Sequence, residues 1–358
     1  MARIQLENLS KVFGKRTAVE DLDLDIADGE FFFLLGPTGA GKTTTLRLIA
    51  GLEKPTVGRV KINDVDVNEW GPAERDVALV LQQYSLYPRL TVRDNLAFPL
   101  RSRVRRMSQA DIDERIAYAS KTLRIEHLLD RKTDRLSGGE MQRVSIGRAI
   151  VREPQVFLMD EPLSALDAKL RESLRVELKE LQLRLKTTFI FVTHDQVEAM
   201  TMADRIAVMN RGRIIQVGKP SEIYNNPRDT FVASFVGSPA INLLRGKLAG
   251  GNAVVSSGFA LPFAGTATRA GEGEYTFGVR PEDIRVESGA PVEAKVHDIE
   301  NHGIEKILTL RVADNLVRAG VPGRVNVAVE DTIRFGWNPG KVILFDADTG
   351  VNLAHAAA

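Results

Sequence analysis

The sequence predicts two domains: an α/β domain on a mostly parallel sheet with a mainly helical insertion, then a smaller all-β domain. Three observations carry this. Phe31–Leu35, Val156–Met159 and Thr188–Thr193 are nearly continuous apolar runs, the pattern of strands buried on both faces of a parallel sheet. From about Leu90 to Ile150 the strand signal fades and charge-rich helical sequence replaces it. After Phe235, short alternating segments separated by Gly, Pro and Asp read as the closely spaced strands of small barrels.

Taken in order, further strands are expected at Arg3–Leu6, Val77–Leu81 and Arg205–Met209, with a helix opening at Thr44–Leu52. Leu170, Leu174, Leu178, Leu181 and Leu185 recur at spacings of four and three through Ala168–Lys186, which gives one apolar helix face against Arg, Glu and Lys. Arg101, Arg103, Arg105 and Arg106 fall in the helical insertion and lack interleaved aromatics, so they read as a solvated face. In the last third the strand candidates are Tyr275–Arg280, Lys306–Val312 and Lys341–Phe345. The boundary is placed within Tyr224–Ala240, with domains of residues 1–235 and 236–358.

A length of 358 residues suits two domains. Lys and Arg number 48 against 47 Asp and Glu, a balance that argues against a dedicated nucleic-acid binder. The absence of cysteine excludes disulfides, thiolate zinc sites and iron–sulfur clusters. No signal peptide is visible at Met1–Glu7, and no apolar stretch is long enough to cross a membrane as a helix.

Gly36-Pro37-Thr38-Gly39-Ala40-Gly41-Lys42-Thr43 matches G-x-x-x-x-G-K-[ST] in full. It follows one predicted strand and opens a predicted helix at Thr44, the context the motif requires. Glycines let backbone N–H groups turn toward phosphate oxygens, and the helix N-terminus adds partial positive charge. Lys42 is expected at the β- and γ-phosphates of ATP, and the Thr43 hydroxyl on Mg²⁺. Val156–Met159 then delivers Asp160 and Glu161 to a strand end, where ligands of parallel α/β sheets bind. Asp160 is the candidate Mg²⁺ carboxylate and Glu161 the candidate general base for the attacking water.

Leu136-Ser137-Gly138-Gly139-Glu140 resembles the signature motif of ABC ATPases, and the remaining family motifs follow in order. The resemblance implies that Ser137, Gly138 and Gly139 grip the γ-phosphate of ATP held by a second subunit. Many members end this motif in Gln; Glu140 departs from that, as it does in related importers. Gln82 matches the glutamine that senses the γ-phosphate and Mg²⁺ and leads into the permease-contacting segment Gln83–Leu100. Ser164-Ala165-Leu166-Asp167 looks like the loop that communicates between two ATP sites, and His194 like the switch histidine. Phe13 matches the aromatic that stacks on adenine. Phe231–Pro239, Gly278–Asp283 and Gln83–Pro88 look like the importer ATPases of the maltose and glycerol-phosphate group, whose C-terminal regulatory domain consists of small oligonucleotide-fold-like barrels.

What this resemblance implies is a phosphate-loop ATPase that powers uptake of a sugar, polyol or sugar derivative. It would work at the cytoplasmic face of the cell membrane, paired with a second ATPase subunit, another copy of itself ahead of a sibling ATPase. Two transmembrane permease subunits and, indirectly, a solute-binding protein complete the machine. An importer ATPase for polyamines, metals or anions shares the same motor. ABC ATPases that act on nucleic acid bring paired cassettes, long coiled coils, zinc cysteines or basic tails, and this chain has one cassette and none of those features.

Overall fold

The computed structural model describes residues 2–102, 107–255, 258–264 and 271–355. Two compact units divide between Pro220 and Ser221. Of the arginine cluster, Arg103, Arg105 and Arg106 lie outside the described residues; Arg101 pairs with Asp94 at 3.2 Å.

The first unit holds two sheets. β1 (Ile4–Phe13), β2 (Arg16–Ile26), β4 (Val57–Ile62) and β5 (Val65–Asp66) make an antiparallel sheet in the order β2-β1-β4-β5. The second sheet combines β3 (Phe31–Leu35), β6 (Val77–Val80), β7 (Val156–Asp160), β8 (Thr188–Thr193), β9 (Arg205–Asn210) and β10 (Arg213–Gly218). Its order is β10-β9-β3-β8-β7-β6, with every neighbouring pair parallel except β9 and β10.

The central strands are apolar because both of their faces are covered. All five residues of β3 are buried. On one face Phe33 stacks on Phe191 at 4.7 Å between ring centroids, and Phe157 stacks on Phe189 at 4.5 Å. On the other, Phe32 and Leu34 join Leu158, Ile190 and Val192 under Leu46 and Ile49 of α1 (Lys42–Ala50). Phe33→Ala would cost about 3–5 kcal/mol, the usual range for emptying an aromatic core position.

Helix boundaries follow local chemistry. α1 begins two residues earlier than Thr44 and stops at Gly51, whose φ of 74° is the left-handed turn glycine permits. The buried Arg75 guanidinium donates to Leu48 O and Ile49 O at 2.7 and 2.9 Å, so it satisfies the last carbonyls and the negative end of the helix. Between β6 and β7 come α2 (Val92–Ala97), α3 (Gln109–Thr122) and α4 (Gly138–Ile150), with no strand among the described residues of this stretch. α5 (Ala168–Leu185) realises the leucine stripe, with Leu174, Leu178 and Leu181 buried. α6 (Gln196–Met202) follows β8 directly, and α7 (Pro220–Asn225) and α8 (Thr230–Phe235) close the helical sequence.

The second unit is all-β after α8. One antiparallel sheet contains β11 (Asn242–Ala249), β12 (Asn252–Val255), β13 (Ala260–Pro262), β14 (Gly273–Val279) and β20 (Ile343–Asp346). The other contains β15 (Ile284–Val286), β16 (Val292–Asn301), β17 (Glu305–Val312), β18 (Asn315–Pro322) and β19 (Thr332–Trp337). Strict alternation along β11 sends Leu244 and Leu248 into a core shared with Phe277, Val296, Leu310 and Phe335 of both sheets. The expected strand at Lys341 starts later, at Ile343, because Pro339–Lys341 forms a 3₁₀ turn. Two residues brace this unit. Buried Asn242 donates to Val279 O and Arg318 O, and the Arg280 guanidinium reaches Tyr224 O, Ala233 O and Val236 O.

Candidate functional site

The strand β3, the loop Gly36–Gly41 and α1 form a phosphate cradle. Gly39 and Gly41 have φ of 81° and 102°, and Gly41 is the N-cap of α1 with no side chain bonded over it. Backbone N–H groups at the helix start are therefore open to an anion. Gly36 has a packing reason as well: a β-carbon there would lie 2.3 Å from Met209 O. Pro37, Thr38 and Ala40 complete the loop, whose Ala40 N–H donates back to Pro37 O at 3.1 Å.

Lys42 is 4% exposed, and its ammonium donates to Gly36 O and Pro37 O at 2.8 and 3.0 Å. Burial pushes its pKa down, opposed by the nearby Glu161 and Asp160 carboxylates. Two of its three donors hold the loop's shape, which leaves one for a bound oxygen. Thr43 Oγ1 donates to Asp160 Oδ1 at 2.9 Å. Burial pushes Asp160 up, with the Thr43 hydrogen bond pulling it back.

Glu161 begins the loop after β7 with a φ of 45°. Its carboxylate lies 3.9 Å from Lys42 Nζ and 3.0 Å from His194 Nδ1. Ser164 Oγ donates to Glu161 O at 2.8 Å and accepts from Gln82 Nε2 at 3.2 Å. Hence Lys42, Thr43, Asp160, Glu161, His194 and Gln82, drawn from four separate stretches of chain, converge in space.

Phe13 is 45% exposed at the end of β1 and lines the same cavity of about 590 Å³ as Thr38–Thr44 and Glu161. That cavity also takes in Arg16, Arg211 and Gly212, which sequence reading missed. The signals available were the turn Asn210-Arg211-Gly212 and a basic residue just after the Phe13-Gly14 turn.

Ser137, Gly138, Gly139 and Asp167 do not line this cavity. Ser137 is the N-cap of α4 in a capping box: its backbone N–H and its hydroxyl both donate to Glu140 Oε2 at 2.8 Å. These bonds hold the Glu140 carboxyl below its usual range. Gly139 lies against Leu170 Cδ2, which a β-carbon would meet at 2.2 Å. Asp167 is the N-cap of α5, accepting from Leu170 N at 3.0 Å.

A phosphate loop on a parallel sheet, with paired carboxylates at the neighbouring strand's end and a histidine against one of them, defines a nucleoside triphosphatase. A family model described as "ABC transporter" matches residues 19–164, "MalK OB fold domain" residues 237–284 and "TOBE domain" residues 277–345. The sulfoquinovosyl glycerol transport ATP-binding protein of Agrobacterium fabrum is 46% identical over 98% of this chain and 99% of its own length. The trehalose/maltose import ATP-binding protein of Thermococcus litoralis is 48% identical over 98% of this chain and 99% of its own. Among solved structures, a dimeric bacterial ABC transporter cassette is 34% identical with a TM-score of 0.54, covering 61% of this chain and 98% of that one. A structure of the same cassette in a post-hydrolysis state, bound to ADP and Pi, is 33% identical with the same TM-score and the same coverages. The chain belongs to the ABC transporter ATP-binding subunits, with the oligonucleotide-fold and TOBE domains of the maltose-type branch. It is a nucleotide-binding ATPase.

Proposed function

We propose that this chain powers import of a sugar, polyol or sugar derivative, and that the convergence of Lys42, Thr43, Asp160, Glu161 and His194 is its hydrolytic centre. The observation that carries the proposal is the Glu161 carboxylate, 3.0 Å from His194 Nδ1 and 3.9 Å from Lys42 Nζ beside the open cradle. The sugar class rests on relatives named for sulfoquinovosyl glycerol, glycerol-3-phosphate, xylose/arabinose and trehalose/maltose transport.

The donor set fits Mg²⁺. A hydroxyl and a carboxylate 2.9 Å apart supply the one or two protein oxygens such an ion takes when phosphates and waters fill the rest of its octahedron. Thr43 and Asp160 would hold it, with Gln82 nearby through Ser164. Bound there, it neutralises developing phosphate charge. Lys42 draws the β- and γ-phosphates to the loop, while Phe13 offers a ring for the adenine. Glu161 accepts the proton of the attacking water, and His194 holds that carboxylate in place. Ser137, Gly138 and Gly139 serve the second site of a dimer of this chain, with Asp167 at the interface. Closure of that dimer moves the helical insertion against two permease subunits at the cytoplasmic face of the membrane, and a solute-binding protein delivers cargo. Among the described residues no helix is long and apolar enough to cross a membrane, so attachment falls to those partners. The functional division proposed is 1–235 for the motor and 236–358 for a regulatory β domain, α7 and α8 being the connecting helices.

The test is ATP hydrolysis by the purified chain against its concentration, with Glu161→Gln alongside. Activity should rise more steeply than linearly and drop about 10²–10⁴-fold in the variant, the usual worth of a general base, while ATP binding persists. Wild-type turnover in Glu161→Gln would remove Glu161 from its role, and strictly linear activity would contradict the shared site.

A further inference from the structure

The first turn of α5 lies between two groups of loops that a shared-site motor has to move together. On one side Leu170 fills the space beside Gly139 of the signature turn. On the other, Arg171 spreads its guanidinium over three partners. Nε donates to Leu163 O at 3.3 Å, Nη2 donates to Leu166 O at 3.0 Å, and Nη1 lies 3.5 Å from Asp195 Oδ2.

Each partner leads to the hydrolytic centre. Leu163 and Leu166 bracket Ser164, which touches both Glu161 O and Gln82. Asp195 follows His194 directly, and its Oδ1 caps α6 by accepting from the N–H groups of Val197 and Glu198 at 2.8 and 3.4 Å. The Arg171 side chain is 31% exposed, so its ion pair with Asp195 adds little to stability as such. Its value is geometric. A planar fork can hold two carbonyls and a carboxylate at fixed angles, which a single ammonium cannot.

We propose that Arg171 is a positioning residue that makes the Leu163–Asp167 loop and the His194 loop move as one piece. The signature turn packed on the adjacent Leu170 then follows the state of the chain's own hydrolytic centre. This deepens the motor reading above and rests on it. Residue 171 touches no reacting atom; it acts through Ser164 and Asp195.

The experiment compares the full-length wild type with Arg171→Ala, Arg171→Lys and Asp195→Asn. Arg171→Ala is expected to lower kcat about tenfold or more, as small misplacements of catalytic groups do. The Hill coefficient for ATP should fall toward one, with KM within about twofold and binding of a fluorescent ATP analogue retained. Lysine should not restore cooperativity. Asp195→Asn, which still caps α6 but lacks the charge, should fall between. A kcat within about twofold of wild type with an unchanged Hill coefficient, or full rescue by lysine, overturns the proposal. So does a loss of nucleotide binding and melting temperature in step with activity, which is what a plain packing role gives. Should the wild type itself turn over no ATP, the motor reading fails separately, and amide hydrogen exchange decides the linkage. Arg171→Ala must then raise exchange in residues 163–167 and 194–198 together; a rise in one loop alone, or in neither, refutes it.

Discussion

Gly139→Ala puts the packing of the signature turn on α5 to a quantitative test. The added β-carbon would sit 2.2 Å from Leu170 Cδ2, 3.1 Å from Cγ and 3.2 Å from Cδ1. Ordinary carbon–carbon contact begins near about 3.5 Å, so the whole isobutyl group has to retreat by more than about 1 Å. Overpacking of this kind costs about 1–3 kcal/mol. Gly139 lies within α4, where alanine is favoured over glycine by up to about 1 kcal/mol, which offsets part of that. The net expected loss is therefore about 0–2 kcal/mol by these two terms. Leu170→Ala removes the obstructing group and alone costs about 1–2 kcal/mol, since Leu170 is half-buried. In the double variant the alanine at 139 has room, so its penalty vanishes and its helix gain remains. Urea unfolding of the four proteins should thus give a favourable coupling of about 1–3 kcal/mol, the range for residues in contact. ATP hydrolysis should stay low in the double variant, because the β-carbon still stands on the turn assigned to the γ-phosphate. Additivity within about 0.5 kcal/mol would refute the packing argument, and full recovery of hydrolysis would refute the role of the bare turn.

Two further perturbations probe the supports of the site. Burial raises the pKa of Glu198 above 4.5, opposed by its hydrogen bond from Thr193 Oγ1 at 2.6 Å. A raised carboxyl stabilises the fold below its unfolded pKa and loses that contribution as pH climbs through the folded value. Glu198→Gln keeps an acceptor for Thr193 and does not titrate, so its stability relative to wild type should rise from pH 4 to pH 7; a flat or falling difference in urea midpoint contradicts this. Arg75→Met strips Ile49 O and Trp70 O of their donor and leaves Leu48 O with only the Gly51 N–H at 3.2 Å. Losing those partners should cost about 2–5 kcal/mol at about 1–3 kcal/mol per orphaned group, allowing for partial relaxation, and should raise KM for ATP because α1 carries the cradle. An unchanged melting temperature would show that Arg75 does not hold the helix end.

The parallel strands were legible because a strand covered on both faces must be apolar at every position, and β3 and β8 end where the reading placed them. The antiparallel sheet of the first unit was mostly invisible. β2 reads Arg-Thr-Ala-Val-Glu-Asp-Leu-Asp-Leu-Asp-Ile: Leu22–Ile26 alternates cleanly and was a strand signal left unread, whereas the first half is irregular and its pairing with β1 shifts register three times. The all-β character of the second unit was read from turn residues between short segments, and the individual strand ends were not, because they depend on partners far along the chain. Arg75, Arg171 and Glu198 were missed for a common reason. A charged residue on a helix or loop looks solvated until the tertiary fold buries it or brings carbonyls to it.

Glu161 shows why motif and geometry carry different information. Its φ of 45° is a left-handed conformation that costs a non-glycine residue about 1–2 kcal/mol, yet the position calls for a carboxylate that glycine lacks. The surroundings impose that backbone: Glu161 N–H donates to Val192 O at 3.0 Å, Ser164 Oγ holds Glu161 O, and His194 holds the carboxylate. The same three bonds that fix the strained turn tie it to the ends of β8 and to the loop that Arg171 braces. A displacement of His194 or Ser164 therefore removes part of what keeps Glu161 left-handed, and the turn is free to relax. Strain held by the Ser164 and His194 loops ties the Glu161 geometry to their position, an arrangement suited to a motor in which ATP is to be cleaved only after closure. Glu161→Gly tests this directly. It lacks the carboxylate and should be inactive, but relief of the strained φ should make it at least as stable as Glu161→Gln in urea. A glycine variant less stable than Glu161→Gln by more than the ~1 kcal/mol that glycine's extra unfolded-state entropy costs would mean that the turn stores no strain.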